Sequence, residues 1–210
     1  VARFERLRSW IAGERPAFVL VTGDLVEDAL RVGETEARGF YELYVKTAAT
    51  FPVPVWSVPG NHENFGIERH LSLVPKTHPL YGKQMFRSYL GPTYYSFNAG
   101  GIHFVGLDSV DVDDLWYYGH VDSAQLAWLK ADLALVPPTM PVVTFNHIPF
   151  VTAAESISGF REDGAGSLIR IDGKPQYRHS VSNLSEVLAI LPSARCTLAL
   201  GGHIHRYETL

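Results

Sequence analysis

Four apolar, strand-like runs in this chain each end in a polar side chain able to donate a lone pair. Ala17–Thr22 leads into Gly23-Asp24, and Val53–Val58 leads through Pro59-Gly60 into Asn61 and His62. Pro141–Phe145 leads into Asn146 and His147, and Cys196–Leu200 leads through Gly201-Gly202 into His203 and His205. Each has a plain structural alternative. Asp24 is suited to satisfying turn amides, Asn61-His62 to a breaker-rich turn, and His147 to a core. As a set, carboxylate, amide and imidazole suit a borderline divalent cation such as Zn, Fe or Mn. With Cys196 the only cysteine, a thiolate zinc cluster does not fit. Glycines before Asp24, Asn61 and His203 allow the backbone to bend or approach closely and aim these groups inward.

The elements that must position them follow from periodicity. Phe4, Leu7 and Ile11 recur at helical intervals over Val1–Ile11, and Pro16 stops that helix. Ala17–Thr22 reads as a buried strand, and Ala37–Ala49 as a helix with Phe40, Leu43, Tyr44 and Ala48 on one side. A short strand then precedes Pro59. Two aromatic and β-branched runs around Asn98–Gly101 predict a hairpin. Val110–Val121 reads as an acidic, aromatic loop. Asp122 or Ser123 caps the next helix, whose stripe is Leu126, Leu129 and Leu133. Val151–Ser182 reads as a long surface excursion with a turn at Ile171–Lys174. Asn183 and Glu186 have capping-box spacing, and Cys196–Leu200 reads as a buried last strand. Polar groups just beyond strands matter, because open α/β sheets collect ligands at the carboxyl ends of their strands.

Composition agrees with one folded domain over 1–210: the chain has 210 residues, 46% apolar and 19% charged. A net charge of -4 disfavours partners held by phosphate neutralisation, so nucleic acid is not expected. No apolar run reaches the length of a membrane span. Neither compartment nor oligomeric state follows from composition.

The ordered blocks Gly23-Asp24, Gly60-Asn61-His62-Glu63, His147 and Gly202-His203-Ile204-His205 resemble the calcineurin-like metallophosphoesterases. The resemblance spans nearly the whole chain and implies an α/β fold (α+β by some schemes). Its form is a four-layer αββα sandwich with two mixed β-sheets. It implies that Asp24 bridges two ions and that Asn61, His147 and His203 complete one of them. His205 would serve the other ion. His62 matches the catalytic histidine, which contacts the phosphate and protonates the leaving oxygen, a task imidazole suits near neutral pH. The implied cofactors are two divalent or mixed-valence transition ions (Mn, Fe or Zn), and the implied partner is a small phosphate ester. The reaction is hydrolysis of a phosphomonoester or phosphodiester by in-line attack of metal-bound hydroxide.

The family's first block, Asp-x-His, has no counterpart before Asp24; the expectation is a domain that lacks here its first strand and its C-terminal end, with a further loop and strand after Tyr207 in the intact protein and fewer ions bound by this fragment. The alternative is a binding or scaffold module that keeps one half-site; a nuclease is a further alternative. The closing Gly-His-Ile-His-Arg-Tyr is similar to the purple acid phosphatase branch. There a tyrosine ligand lies three residues after the Asp, where this chain has Glu27, which argues against an iron–tyrosinate site. Asp113, Trp116, Tyr117, Tyr118 and His120 form either a substrate rim for an aromatic or nucleotide leaving group, or a packed loop. Glu63 and Asp28 either orient imidazoles or are solvated acids. His103 reads as core or hairpin surface, while His70, His78 and His179 carry little signal.

Overall fold

The computed structural model describes residues 2–68, 71–154, 167–191 and 195–210. Helix α1 spans Ala2–Glu14 and is broken by Arg15, which turns to a φ of 51°, and by Pro16. Strand β1, Val19–Val21, lies parallel to β2, Val55–Ser57, in the register Val19↔Val55 to Val21↔Ser57. Helix α2, Glu34–Ala48, links them and buries Ala37, Tyr41 and Tyr44. Their spacing of four and three residues makes one stripe. That stripe packs with Val26, Ala29, Phe65 and with Met85 and Phe86 of α3, Gln84–Leu90.

The second sheet begins with a hairpin, β3 at Tyr95–Ala99 and β4 at Ile102–Leu107. Gly100 and Gly101 turn it at φ 57° and 77°, values that glycine adopts without a Cβ penalty. Next come β5, Val110–Asp113, paired antiparallel with β6, Trp116–Gly119. Helix α4, Ser123–Ala134, follows, with the Asp122 carboxylate accepting from the Gln125 amide at 2.8 Å. Strand β7 is Val142–Asn146, and β8, Leu168–Ile171, pairs with β9, Lys174–Tyr177. Helix α5 is Leu184–Ile190 and β10 is Cys196–Leu200. The larger sheet has the order β10-β7-β4-β3, with β10, β7 and β4 mutually parallel and β3 antiparallel, so it is mixed.

The two sheets face each other. Phe18 and Leu20 around β1 and Val58 after β2 pack on Phe97, Phe104, Val143 and Phe145 of the larger sheet. The Phe18 ring stands edge-on to Phe97 and Phe104 at 5.3 and 5.0 Å. Full burial of each such side chain is worth about 1.5–3 kcal/mol. On the outer face, Val105, Leu107 and Val142 pack against Leu129 and Leu133 of α4 and against Leu191 after α5. With α2 against the small sheet, where Tyr44 bonds Ser57 of β2, the layers run helix, sheet, sheet, helix, as expected for this fold. No helix among the described residues is long and apolar enough to cross a membrane.

Four local expectations need correction. Val110–Val121 is not a loop but the β5–β6 hairpin, turned at Asp114 with a φ of 53°; cross-strand pairing of Val112 with Tyr117 outweighs its acidic composition. The Val151–Ser182 excursion contains the β8–β9 hairpin, and residues 155–166 lie outside the described residues. Asn183 stands at the N-cap of α5 and its Nδ2 lies 3.4 Å from Glu186, but its side chain accepts from no helix amide. Its amide instead binds the backbone of Val121, accepting at 3.1 Å and donating at 2.8 Å, and so ties the start of α5 to the strand end before α4. Strand β10 lies at the edge of its sheet, and Leu198 is 49% exposed, so this apolar run is not a buried strand.

Candidate metal centre

Strands β1, β2, β7 and β10 are parallel within their sheets, and their carboxyl ends bring the polar groups to one place. Backbone bonds join these ends: Val58 N–H to the Val21 carbonyl at 3.2 Å, and Gly202 N–H to the His147 carbonyl at 2.8 Å. His147 is the hub. Its Nδ1 lies 2.8 Å from the Thr22 carbonyl. Its Nε2 lies 2.9 Å from Asn61 Oδ1, 3.2 Å from Asp24 Oδ1 and 3.1 Å from His203 Nδ1.

Hydrogen-bond accounting shows what this hub needs. A carbonyl only accepts, so Nδ1–H belongs to the Thr22 contact and Nε2 presents a lone pair. Facing that lone pair are a carboxylate oxygen, an amide oxygen and a second ring nitrogen. Acceptors outnumber protons, and a cation is the group that satisfies them all. Suitable donor atoms of Asp24, His147 and His203 lie within 4.8 Å of one another. Burial pushes His147 down and His203 down to about 2, so both rings are held neutral, the form that binds a metal. Among the described residues His203 Nε2 is buried with no hydrogen-bond partner, a further sign that this ring is placed for something other than internal bonding.

The backbone is strained here. Asp24, His203 and His205 adopt φ values of 53°, 69° and 56°, the left-handed region that side chains with a Cβ rarely enter. Such outliers persist where surrounding structure holds them, and they gather at functional sites. A Cβ on Gly23 would sit 2.6 Å from His147 Nδ1, and one on Gly60 would strike the Asp24 carboxylate. Close packing of backbone against ligand groups therefore requires glycine at both positions.

Glu63 resolves an open point. It is 1% exposed, and its carboxylate accepts the backbone N–H groups of Asp24, Leu25, Val26 and Gly60 at 3.0, 2.7, 3.0 and 2.5 Å. It thus clasps the loop after β1 to the loop after β2 and fixes Asp24 beside Asn61. Burial and then the neighbouring Asp24 charge push it up to about 7, against the pull of the backbone donors. His62 lies half-buried on the same loop. Its Nδ1 meets the Glu27 carbonyl, which leaves Nε2 as the atom able to exchange a proton. Its own backbone N–H points to Asp24 Oδ1 at 3.4 Å.

His205 stands outside the group formed by Asp24, His147 and His203, though close enough for its charge to act on both imidazoles. Of the five rim positions, Tyr117 sets its ring edge against His203 at 5.9 Å between centroids. Tyr118 and His120 instead turn to Asp111, at 3.2 and 2.9 Å, and Asp113 is exposed at the hairpin end. Trp116 lies under the guanidinium of Arg178. His78 pairs with Glu34 at 3.1 Å, and His70 lies outside the described residues. Sequence reasoning missed Arg178 and gave little weight to His179, whose ring lies 5.3 Å from that of His203. Both sit on a segment without strong periodicity, so nothing local announced their proximity.

Comparison with known proteins gives relatives and a fold neighbour. A Fibrobacter succinogenes protein named "Probable cyclic nucleotide phosphodiesterase" is 26% identical over 194 residues, covering 91% of this chain. Arabidopsis thaliana purple acid phosphatase 15 is 29% identical over 167 residues, covering 76% of it. The chain spans 59% and 26% of the lengths of these two relatives. A solved purple acid phosphatase from yellow lupin seeds superposes with a TM-score of 0.54 at 16% identity, over 94% of this chain and 32% of that one. This likeness is one of fold. The family model for calcineurin-like phosphoesterases matches residues 1–207, and the chain belongs to that family.

Proposed function

We propose that this domain hydrolyses phosphate esters with the help of bound transition-metal ions. The observation that carries the reading is the surplus of acceptors around His147 Nε2, where Asp24, Asn61 and His203 converge. In this reading those four residues hold one ion, and Asp24 with His205 contributes to a second. Mn, Fe or Zn suits the oxygen and imidazole donors, and Glu27, three residues after Asp24, offers no tyrosinate. Such ions, when bound, supply Lewis acidity and lower the pKa of water.

The chain's own residues then divide the remaining work. Glu63 holds the Asp24 and Asn61 loops at a fixed separation. The Glu27 carbonyl holds the Nδ1–H of His62 and leaves Nε2 to exchange a proton; as an imidazolium the ring would give its Nε2 proton to the leaving oxygen and return to the neutral form. The Thr22 carbonyl likewise holds the Nδ1–H of His147 and keeps its Nε2 lone pair pointed at the ion. The relatives' names include both a phosphodiesterase and a phosphatase, so the proposed substrate class is a small phosphate ester, monoester or diester.

Elemental analysis of the purified protein, with anomalous scattering at the metal edges and a panel of monoester, diester and cyclic nucleotide substrates, tests this. Metal at the Asp24–His147–His203 group together with turnover is the expected result. A protein that takes up no metal there sinks the proposal. Uptake without hydrolysis of any ester replaces it with a metal-binding module.

A further inference from the structure

Strands β7 and β10 deliver His147, His203 and His205, and the two loops that follow them are tied together twice. The first tie continues the sheet. Past the parallel pairing of Phe145 with Leu200, the Gly202 N–H donates to the His147 carbonyl at 2.8 Å. Gly201 lies against Pro149 so closely that a Cβ there would come 2.8 Å from the proline Cβ. Beyond this point the two loops part. His203 and His205 turn to φ values of 69° and 56°, and the Ile204 N–H between them folds back to the Gly202 carbonyl at 2.8 Å. Left-handed backbone is costly at residues with a Cβ and persists only where surrounding structure enforces it.

The second tie is Glu208. Arg206, Tyr207, Thr209 and Leu210 are exposed, whereas Glu208 turns inward and is half-buried. One of its carboxylate oxygens, Oε2, accepts the Thr152 hydroxyl at 2.8 Å and the Ala153 N–H at 3.2 Å. The Thr152 oxygen in turn accepts the Ala154 N–H at 3.0 Å, and Ala154 is buried. Hydrogen bonds to an ionised acceptor are stronger than neutral ones. The strained turn is therefore fastened at both ends to the loop that carries His147, by Gly202 before the two histidines and by Glu208 after them.

We propose that Glu208 is a positioning residue of the metal centre, holding the His203–His205 turn against the loop after β7 through Thr152 and Ala153, so that both imidazoles stay aimed at the ions. The inference rests on the metal-centre reading above. Glu208 acts through the two histidines and is not itself a ligand, and its effect lies in what Oε2 accepts, not in the carboxylate charge.

The test is calorimetric titration of manganese into the metal-free full chain, well below its melting temperature, for wild type, Glu208→Leu, Glu208→Gln and Thr152→Val. Leucine removes the acceptor, and affinity should fall about 10–100-fold, as when a group that orients a ligand is lost. Glutamine keeps an oxygen able to accept from both Thr152 and Ala153, and it should recover most of that loss. Thr152→Val removes one donor at nearly constant volume and should weaken binding about 2–10-fold. Adding Thr152→Val to Glu208→Leu should cost nothing more, because the hydroxyl then has no acceptor to hold. In imidazole proton–nitrogen spectra of the metal-free chain, Glu208→Leu should shift the His203 and His205 signals and leave His103 in place, which a general loss of stability would not do. Wild-type affinity in Glu208→Leu overturns the tether. Equal weakening by leucine and glutamine assigns the effect to charge and overturns it too. If Glu208→Leu does not fold, Thr152→Val decides, and unchanged affinity there overturns the proposal. A wild-type chain that binds no manganese removes the metal-centre reading, and the His203 and His205 signals then still decide whether Glu208 holds the turn.

Discussion

Of the three histidine–aspartate pairs among the described residues, two have a buried imidazole, and these two differ in one respect. His103 on β4 has Nδ1 2.7 Å from Asn98 Oδ1 and Nε2 2.8 Å from Asp132 Oδ2, while Ser96 donates to the other Asp132 oxygen at 2.7 Å. One ring hydrogen serves Asp132, a second ring hydrogen or an Asn98 amide turned to donate serves the other contact, and the pair is closed. His147 on β7 has one nitrogen spent on a carbonyl and the other facing oxygens and a nitrogen that also need a proton or a cation. Both rings are buried, at 3% and 1% exposure, so burial does not separate them. What separates them is the balance of donors and acceptors, together with left-handed backbone at Asp24 and His203. A buried histidine points to metal chemistry when its surroundings hold too many acceptors.

The largest effects are expected at the His147 hub. His147→Ala or Asp24→Ala should lower metal affinity by more than the roughly 10–100-fold typical of groups that merely support ligands, and turnover should fall with it. Metal analysis after dialysis checks this; retention of a full complement in either variant would place the ion elsewhere. Next in size is His62→Asn. If His62 delivers the proton, kcat should drop about 10²–10⁴-fold with metal content intact, and loss of metal would instead make it a ligand.

Glu63→Gln comes third. An amide cannot accept at both ends, so at least one of the N–H groups of Asp24, Leu25, Val26 and Gly60 loses its partner. That costs about 1–3 kcal/mol of stability and loosens metal binding about 10–100-fold. Glu63→Asp, shorter by one methylene, should not restore it. Equal metal affinity in wild type and Glu63→Gln would show that the two loops hold Asp24 without the clasp.

The metal-free protein should also respond to pH in a direction set by these groups. Burial lowers His203 to about 2 and lowers His147, so below an ordinary imidazole value of about 6.5 the unfolded chain binds protons that the folded chain refuses. Their contribution is lost as pH falls, at up to about 1.36 kcal/mol per unit for each group. Glu63, raised to about 7, works the other way: its contribution is present below about 4.5 and fades as pH rises through 7. His203 opposes Glu63, and His147, lowered as well, tips the balance, so melting temperature should rise as pH approaches about 6.5 from below. Scanning calorimetry of the apoprotein reads the sign, and a flat or falling curve would show that the rings are not held neutral.

Much of the centre was visible in the sequence because its residues sit just past apolar runs. A strand is recognised by its own composition, and the residue after it inherits a place at the sheet's carboxyl end. That reasoning placed Asp24, Asn61, His147 and His203 together. It failed where position depends on partners remote in sequence. Glu63 reads equally as an orienting group or a solvated acid until the loop after β1 folds over it. Arg178 has no periodic neighbour and reaches Trp116 and Tyr117 only through tertiary packing. The β5–β6 hairpin was missed because its aspartates have low strand propensity, which pairing with aromatic partners overrode. Edge position has no signature in composition either, so β10 read as buried.

The smallest effect on the centre should come from the closed pair, and its variants show whether closure is the distinguishing property. Asp132→Ala removes one partner of His103 and leaves a buried polar ring facing a gap, which costs about 3–5 kcal/mol when a buried ion pair is broken in this way. Metal affinity and kcat, measured below the lowered melting temperature, should stay at wild-type values. Replacing both residues, His103→Leu with Asp132→Leu, should recover much of the lost stability, because an apolar pair of similar volume needs no protons at all. The same exchange at His147 and Asp24 has no such rescue, since Asn61 and His203 would still face one another with nothing between them. If the leucine pair at 103 and 132 also emptied the metal centre, the two regions would be one coupled network, and acceptor surplus at His147 would not by itself mark the site.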